Sequence, residues 1–148
     1  MEVCAGALLV RGGKLLLGRR SLERSRSPGV WDLIGGHVQP GETVQSALVR
    51  EVEEEIGSVP TEFVLLETAQ APDLESSDSR EYHRFLVRNW VGPEPFVRND
   101  EHSELRWFSV EEARRLQLAH PDYLELFARV GSLLSSGVAG DARDRRRM

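Results

Sequence analysis

The chain has 148 residues, about the size of one domain, with 40% apolar and 29% charged residues, which places it among soluble globular proteins. A net charge of -5 and a pI near 5.4 exclude the basic field that polymeric nucleic acid or an anionic membrane requires. One cysteine, Cys4, forms neither an internal disulfide nor a CxxC metal site. No basic n-region follows Met1-Glu2, and the apolar run Val3–Val10 is too short to span a bilayer, so a cytoplasmic protein is expected.

Taken in chain order, Val3–Val10 has the length of a buried strand. Gly12-Gly13 signals a hairpin into a return strand at Leu15–Leu17, ending at Gly18-Arg19-Arg20. A polar loop carrying Arg24 and Arg26 leads to a short strand over Val30–Ile34, stopped by Gly35-Gly36. The strongest helix runs from about Thr43 to Ile56, with Thr43 as N-cap and Gly57 where a C′ glycine belongs. Strands follow at Phe63–Thr68 and His83–Val91, with a polar loop over Pro72–Glu81 between them and Phe85, Val87 and Asn89 on one face of the second. A further strand is expected at Leu105–Phe108. Ser109 and Glu112 form a capping box for a helix through Leu118, and Pro121 opens a last helix to about Leu134. One domain is expected over 1–136, and the arginine-rich segment 137–148 reads as a disordered tail.

The chemistry concentrates in Gly36-His37-Val38-Gln39-Pro40-Gly41-Glu42, seven further residues, and Arg50-Glu51-Val52-Glu53-Glu54-Glu55-Ile56-Gly57. At 100° per residue, with Glu51 at the origin, Glu54 falls at about 300° and Glu55 at about 40°, so three carboxylates share an arc of about 100°. Glu53, at about 200°, lies outside it, while Leu48, Val49, Val52 and Ile56 form an adjoining apolar stripe. Like charges at these spacings oppose one another by about 0.2–0.5 kcal/mol per pair, and burial in a cleft adds to that. A hard divalent cation removes the conflict, and oxygen ligation suits Mg²⁺ or Mn²⁺. Arg50 lies beside Glu54 and within reach of Glu42 in the preceding loop, while Gly35 and Gly36 let a backbone carbonyl approach the metal. A solvated acidic helix face is the bland alternative. The fixed identities of the whole pattern arise by accident at on the order of 10⁻⁶ per chain, which disfavours it.

Residues 36–58 closely resemble the Nudix box of the Nudix hydrolases, with Ser58 in place of the final aliphatic residue and Ile34 in place of the common proline before the glycine pair. The resemblance extends over roughly 3–134 and implies an α/β/α sandwich with a mixed sheet. It implies that Glu51, Glu54 and Glu55 bind Mg²⁺, with Mn²⁺ as a substitute, together with a carbonyl of Gly35 or Gly36, and that Glu42 and Arg50 brace the loop. It also implies hydrolysis of a nucleoside diphosphate linkage, a glutamate in the box or in a distant loop taking the proton of the attacking water.

Further candidates lie outside the box. Arg19 and Arg20 match phosphate bidentately. Glu101 and Glu104, in the loop before Trp107, are candidates to reach the metal or act as base, with Glu104 favoured because it adjoins the strand. Trp31, Trp107 and Asp122-Tyr123 are available to read the base. His37, His83, His102 and His120 are isolated and show no ligand spacing. The expected activity is cleavage of a nucleoside triphosphate to the monophosphate and pyrophosphate, with an oxidised purine such as 8-oxo-dGTP as the specific expectation, by a monomer or homodimer. The alternatives are an ADP-ribose or nucleotide-sugar pyrophosphatase, and a non-catalytic nucleotide-sensing module.

Overall fold

The computed structural model describes residues 2–24, 27–74, 76, 78 and 79–135, so Arg26 and the segment 137–148 lie outside the described residues. The first hairpin forms as the glycine pair dictates. Strands β1 (Val3–Arg11) and β2 (Lys14–Arg20) are joined by Gly12 and Gly13 at φ 59° and 78°, the positive pair that a tight I′-type turn needs. The short strands β3 (Trp31–Asp32) and β4 (Ile34–His37) follow, then helix α1 (Val44–Ile56). Two long antiparallel strands, β5 (Val59–Pro72) and β6 (Ser79–Val91), precede β7 (His102–Ser109) and helices α2 (Val110–Ala113) and α3 (Tyr123–Ser135).

The seven strands form one mixed sheet. β1 runs parallel to β6 on one side and antiparallel to both β4 and β2 on the other. β2 also pairs antiparallel with β3 and β7. The period of two along β1 and β2 separates two cores. Leu8, Val10, Leu15 and Leu17 pack with Leu86, Tyr123, Leu126, Phe127 and Val130, under α3. Ala5, Ala7, Leu9 and Leu16 pack with Leu48, Val52, Ile56, Phe85 and Val87, under α1. The molecule is therefore the expected α/β/α sandwich, and no helix among the described residues is long and apolar enough to cross a membrane.

Several boundaries differ from the sequence expectations for identifiable reasons. The strand expected at Val30–Ile34 is broken at Leu33, whose N–H donates to Asp32 Oδ1 at 2.8 Å, so β3 and β4 pair with different partners. The strands around Pro72–Glu81 extend through most of that expected loop, as far as the Pro72↔Ser79 pair. Both faces of β6 are buried, Leu86 as well as Phe85 and Val87, because helices cover both sides of the sheet. The Ser109–Glu112 capping box is present, but α2 stops at Ala113 instead of reaching Leu118. Its continuation is drawn into backbone pairing with Trp31, which donates to Gln117 O and accepts from Ala119 N.

Candidate functional site

Helix α1 is fixed at both ends by its own sequence. Thr43 Oγ1 accepts from Ser46 N at 3.0 Å, Ser46 Oγ accepts from Thr43 N at 3.1 Å, and Gly57 closes the helix in the left-handed region at φ 76°. Ala47, Leu48, Val52 and Ile56 bury one stripe, which aims the neighbouring acids at the open end of the sheet. There Glu51, Glu54 and Glu55 all line a cavity of about 420 Å³, together with Gly35, Gly36 and His37. Glu53 is exposed and does not line it.

The three acids sit in unlike surroundings. Glu54 is half exposed, whereas Glu55 is 2% exposed, and its carboxyl is pushed well above its ordinary range by burial and then by the adjacent Glu51. His102 Nε2 lies 3.1 Å from Glu55 Oε1, and burial pushes the His102 imidazole down, toward its neutral form. Arg50 organises the remainder. It grips Glu42 with Nε at 2.6 Å and Nη2 at 2.9 Å, donates from Nη1 to Glu51 and Glu54 at 2.9 and 3.2 Å, and donates from Nη2 to the His37 carbonyl at 3.0 Å. The pair with Arg50 holds the Glu42 carboxyl low, at about 2.

Among the described residues no three acid, imidazole or thiol side chains are gathered into a closed cation cage; Arg50 holds Glu51 and Glu54 instead. The donor set nevertheless fits a hard cation. It consists of oxygens, one of its carboxyls is raised by burial beside a second, and a carbonyl-bearing glycine pair adjoins it. The fit is also steric. A Cβ on Gly36 would lie 2.5 Å from Glu51 Oε1, so the missing side chain is what leaves space for that carboxylate.

The other expected contacts divide. Arg20 lines the cavity; Arg19 does not, and donates instead from Nε to the Gly29 carbonyl while lying 3.8 Å from Glu104. Glu101 lines the cavity, whereas Glu104, the favoured acid, is held in register opposite Arg19 on β2 and pairs with Arg106 at 2.7 Å. Trp31 packs edge-on against Phe108 in the α3-side core, with ring centroids 5.0 Å apart. Trp107 stacks on Trp90 and carries the Arg11 guanidinium 4.5 Å from its ring. Neither tryptophan lines the cavity, because strand alternation turns both into packing. Asp122 binds Arg84 at 2.8 Å rather than lining the cavity.

Asp32, Tyr82 and Arg84, which the sequence did not single out, and His102 and His120, which it set aside as isolated, also line the walls. Asp32 had a signal in the sequence, whereas the place of His102 shows only in the fold. Asp32 is a carboxylate in an apolar run, and Gly18 opposite the His102 ring leaves no room for a Cβ, which would sit 2.6 Å from Nδ1.

Comparison with known proteins agrees with this geometry. The NUDIX domain family model matches residues 2–130. The CTP pyrophosphohydrolase of Escherichia coli K12 is 35% identical over 124 residues, covering 82% of this chain and 85% of the relative. An 8-oxo-dGTP diphosphatase of Proteus vulgaris is 33% identical, covering 61% of this chain and 78% of the relative. Among solved structures, the Escherichia coli ORF135 protein superposes with a TM-score of 0.75 at 29% identity, covering 92% of each chain. The MutT NUDIX hydrolase of Burkholderia pseudomallei gives 0.70 at 31% identity, covering 85% of this chain and 94% of its own.

Proposed function

From the premise that this chain belongs to the Nudix hydrolases, enzymes acting on phosphoric anhydride bonds, we propose that it is a Mg²⁺-dependent pyrophosphohydrolase of nucleoside triphosphates. The observation that carries the reading is the placement of Glu51, Glu54 and Glu55 around one cavity, with Arg50 bracing two of them. Glu51, Glu54 and Glu55, with a carbonyl of Gly35 or Gly36, would hold the cation. When bound, that cation neutralises adjacent phosphate oxygens and acidifies the attacking water.

The side chains supply the rest. Arg20, on the cavity wall, offers a guanidinium to phosphate oxygens. Arg50, tied bidentately to Glu42, holds Glu51 and Glu54 at 2.9 and 3.2 Å and so restrains both beside the cavity. His102 fixes the orientation of Glu55 through its Oε1. Glu101, the loop acid on the cavity wall, is placed to accept a proton at its carboxylate. The CTP and 8-oxo-dGTP activities named for relatives support a triphosphate as the class of substrate.

The test is pyrophosphate release from nucleoside triphosphates with and without Mg²⁺, in the wild type and in three variants. Glu54→Gln and Glu55→Gln are expected to lose at least about 10²-fold in kcat, the scale of removing a major electrostatic element, and Glu53→Gln to stay near wild type. Equal sensitivity at Glu53 would sink the reading.

A further inference from the structure

Arg84 is the largest fully buried side chain in the molecule's described core, 1% exposed, and it lines the same cavity. Its Nη1 is fully engaged, donating to Glu67 and Asp122 at 2.8 Å each. Its Nε and Nη2 have no hydrogen-bond partner. These two nitrogens are the side edge of the guanidinium, a rigid fork of parallel N–H donors. A buried donor left unmade costs the fold about 1–3 kcal/mol, so two unfilled donors on a residue that lines the cavity point to a ligand with two adjacent acceptors.

Position selects which part of the ligand that is. Gly6 on β1 is in register with Gly35 on one side and with Arg84 on the other. Arg84 therefore stands two strand spacings, about 10 Å, from the glycine pair beside the acids. Gly6 between them has no side chain, the Leu33 side chain packs over it, and Gly6, Leu33, Gly35 and Arg84 all line the one cavity. A nucleotide with its phosphates at the acids would extend its base toward Arg84. Charge agrees with a neutral group there. Glu67 and Asp122 already balance the Arg84 cation, and Asp32 lies on the same wall, so an added anion would meet carboxylates.

Resting on the triphosphate reading, we propose that Arg84 is the specificity-determining residue for the base and that it selects a base edge with two adjacent acceptors. Cytosine offers O2 and N3, and guanine offers O6 and N7. Adenine sets its N6 amino donor beside both N1 and N7 and leaves N3 alone, so no edge offers two adjacent acceptors, and uracil places N3–H between its carbonyls. 8-Oxoguanine carries N7–H where guanine has an acceptor, so the oxidised purine loses the match. Asp32 accepts at Oδ1 from Tyr123 Oη at 2.6 Å and from Leu33 N at 2.8 Å, and a carboxylate has further lone pairs for the amino group that cytosine and guanine both carry. Tyr82 and His120, whose rings lie 4.9 Å apart, wall the base position.

The experiment measures kcat/KM for CTP, GTP, dGTP, 7-deaza-dGTP, 8-oxo-dGTP, ATP and UTP, in the wild type and in Arg84→Lys and Arg84→Gln. Arg84→Lys retains the charge that Glu67 and Asp122 require while removing the fork, and thermal melting verifies that each variant is folded. The wild type is expected to favour CTP or GTP over both ATP and UTP by about tenfold to a hundredfold, the discrimination of a bidentate guanidinium contact. In either folded variant that ratio collapses toward one, chiefly through KM. A tenfold deficit of 7-deaza-dGTP against dGTP identifies guanine as the partner; parity of those two with CTP ahead identifies cytosine. Turnover of ATP and UTP within threefold of CTP and GTP, preference for 8-oxo-dGTP over dGTP, or an unchanged ratio in a folded variant would each overturn the base assignment while leaving the hydrolase intact. Failure to release pyrophosphate from any triphosphate would overturn the underlying reading instead.

Discussion

Gly35 and Gly36 are neighbours in sequence, yet the structure predicts opposite consequences for adding one methyl group to each. At Gly36 the added carbon would lie 2.5 Å from both Cδ and Oε1 of Glu51 and 2.7 Å from Oε2. Ordinary carbon contacts begin near 3.5 Å, so the carboxylate must retreat by about 1 Å. It is the end of a flexible side chain, and the backbone conformation is not in the left-handed region, so the fold survives. The movement breaks the 2.9 Å bond from Arg50 Nη1 and takes Glu51 off its place among the cavity acids. A misplacement of about 1 Å costs on the order of 10²-fold in rate. Gly36→Ala is thus expected to lower kcat/KM for triphosphate hydrolysis by about 10²-fold and to weaken Mg²⁺ binding in a calorimetric titration. Its melting temperature should fall by less than about 4 °C, equivalent to about 1 kcal/mol for a chain of this size. At Gly35 the new carbon would lie 1.9 Å from the Ala5 carbonyl oxygen, in the backbone of the paired β1 strand. Nothing there can turn aside, and Gly35→Ala should be insoluble or melt at least about 10 °C lower. A Gly36→Ala protein with wild-type kcat/KM and wild-type Mg²⁺ affinity would refute the steric reasoning, as would a Gly35→Ala protein of undiminished stability.

Glu101→Ala should lower kcat with a native circular dichroism spectrum, while Glu104→Ala, removed from the cavity by its pairing with Arg19 and Arg106, should stay within twofold of wild type. With divalent ions chelated, Glu55→Gln should melt above wild type at pH 7. The raised carboxyl stabilises the fold only while protonated, fully below its ordinary value of 4.5, and that contribution is lost as the pH rises through its folded-state value; the advantage of the variant should therefore vanish near pH 4. Burial depresses His120, whose neutral form stabilises the fold above its ordinary 6.5, so the melting temperature should drop as the pH falls from 7 toward 5, less steeply in His120→Asn. Excess Mg²⁺ should raise the melting temperature of the wild type, adding about 2.7 kcal/mol of stability at one hundred times the dissociation constant, and have little effect on Glu55→Gln.

The parts legible in the sequence were those fixed by near neighbours. Thr43, Gly57 and the spacing of Glu51, Glu54 and Glu55 lie within one helix, whose period alone places three acids together and Glu53 apart. The fold class was legible as what the resemblance of the box to the Nudix family implies. What escaped depended on partners distant in the chain. Glu104 reads as the better of the two loop acids until β7 is laid against β2, where the register sets Glu104 opposite Arg19 and leaves Glu101 on the cavity wall. Trp31 reads as a free aromatic until Phe108 meets its edge. Arg84 sits in a strand where an arginine suggests solvent, and its burial follows only from the convergence of Glu67, Asp122 and Tyr123 upon it. Burial works against its charge, and these neighbours outweigh that effect.

The division of the sheet into two cores has a consequence for how such a protein changes. The acids ride on α1 and the layer beneath it, while Tyr82, Arg84, His120 and Tyr123 belong to the opposite layer, under α3. The two layers meet in the cavity along a row whose middle member, Gly6, has no side chain to transmit a displacement. Substitutions that reshape one wall therefore need not disturb the other. Mutation can retune what the protein chooses while sparing the machinery that cuts it, and a library confined to residues 82, 84 and 119–123, leaving Phe85 and Val87 against α1 untouched, would sample new preferences at little risk to turnover.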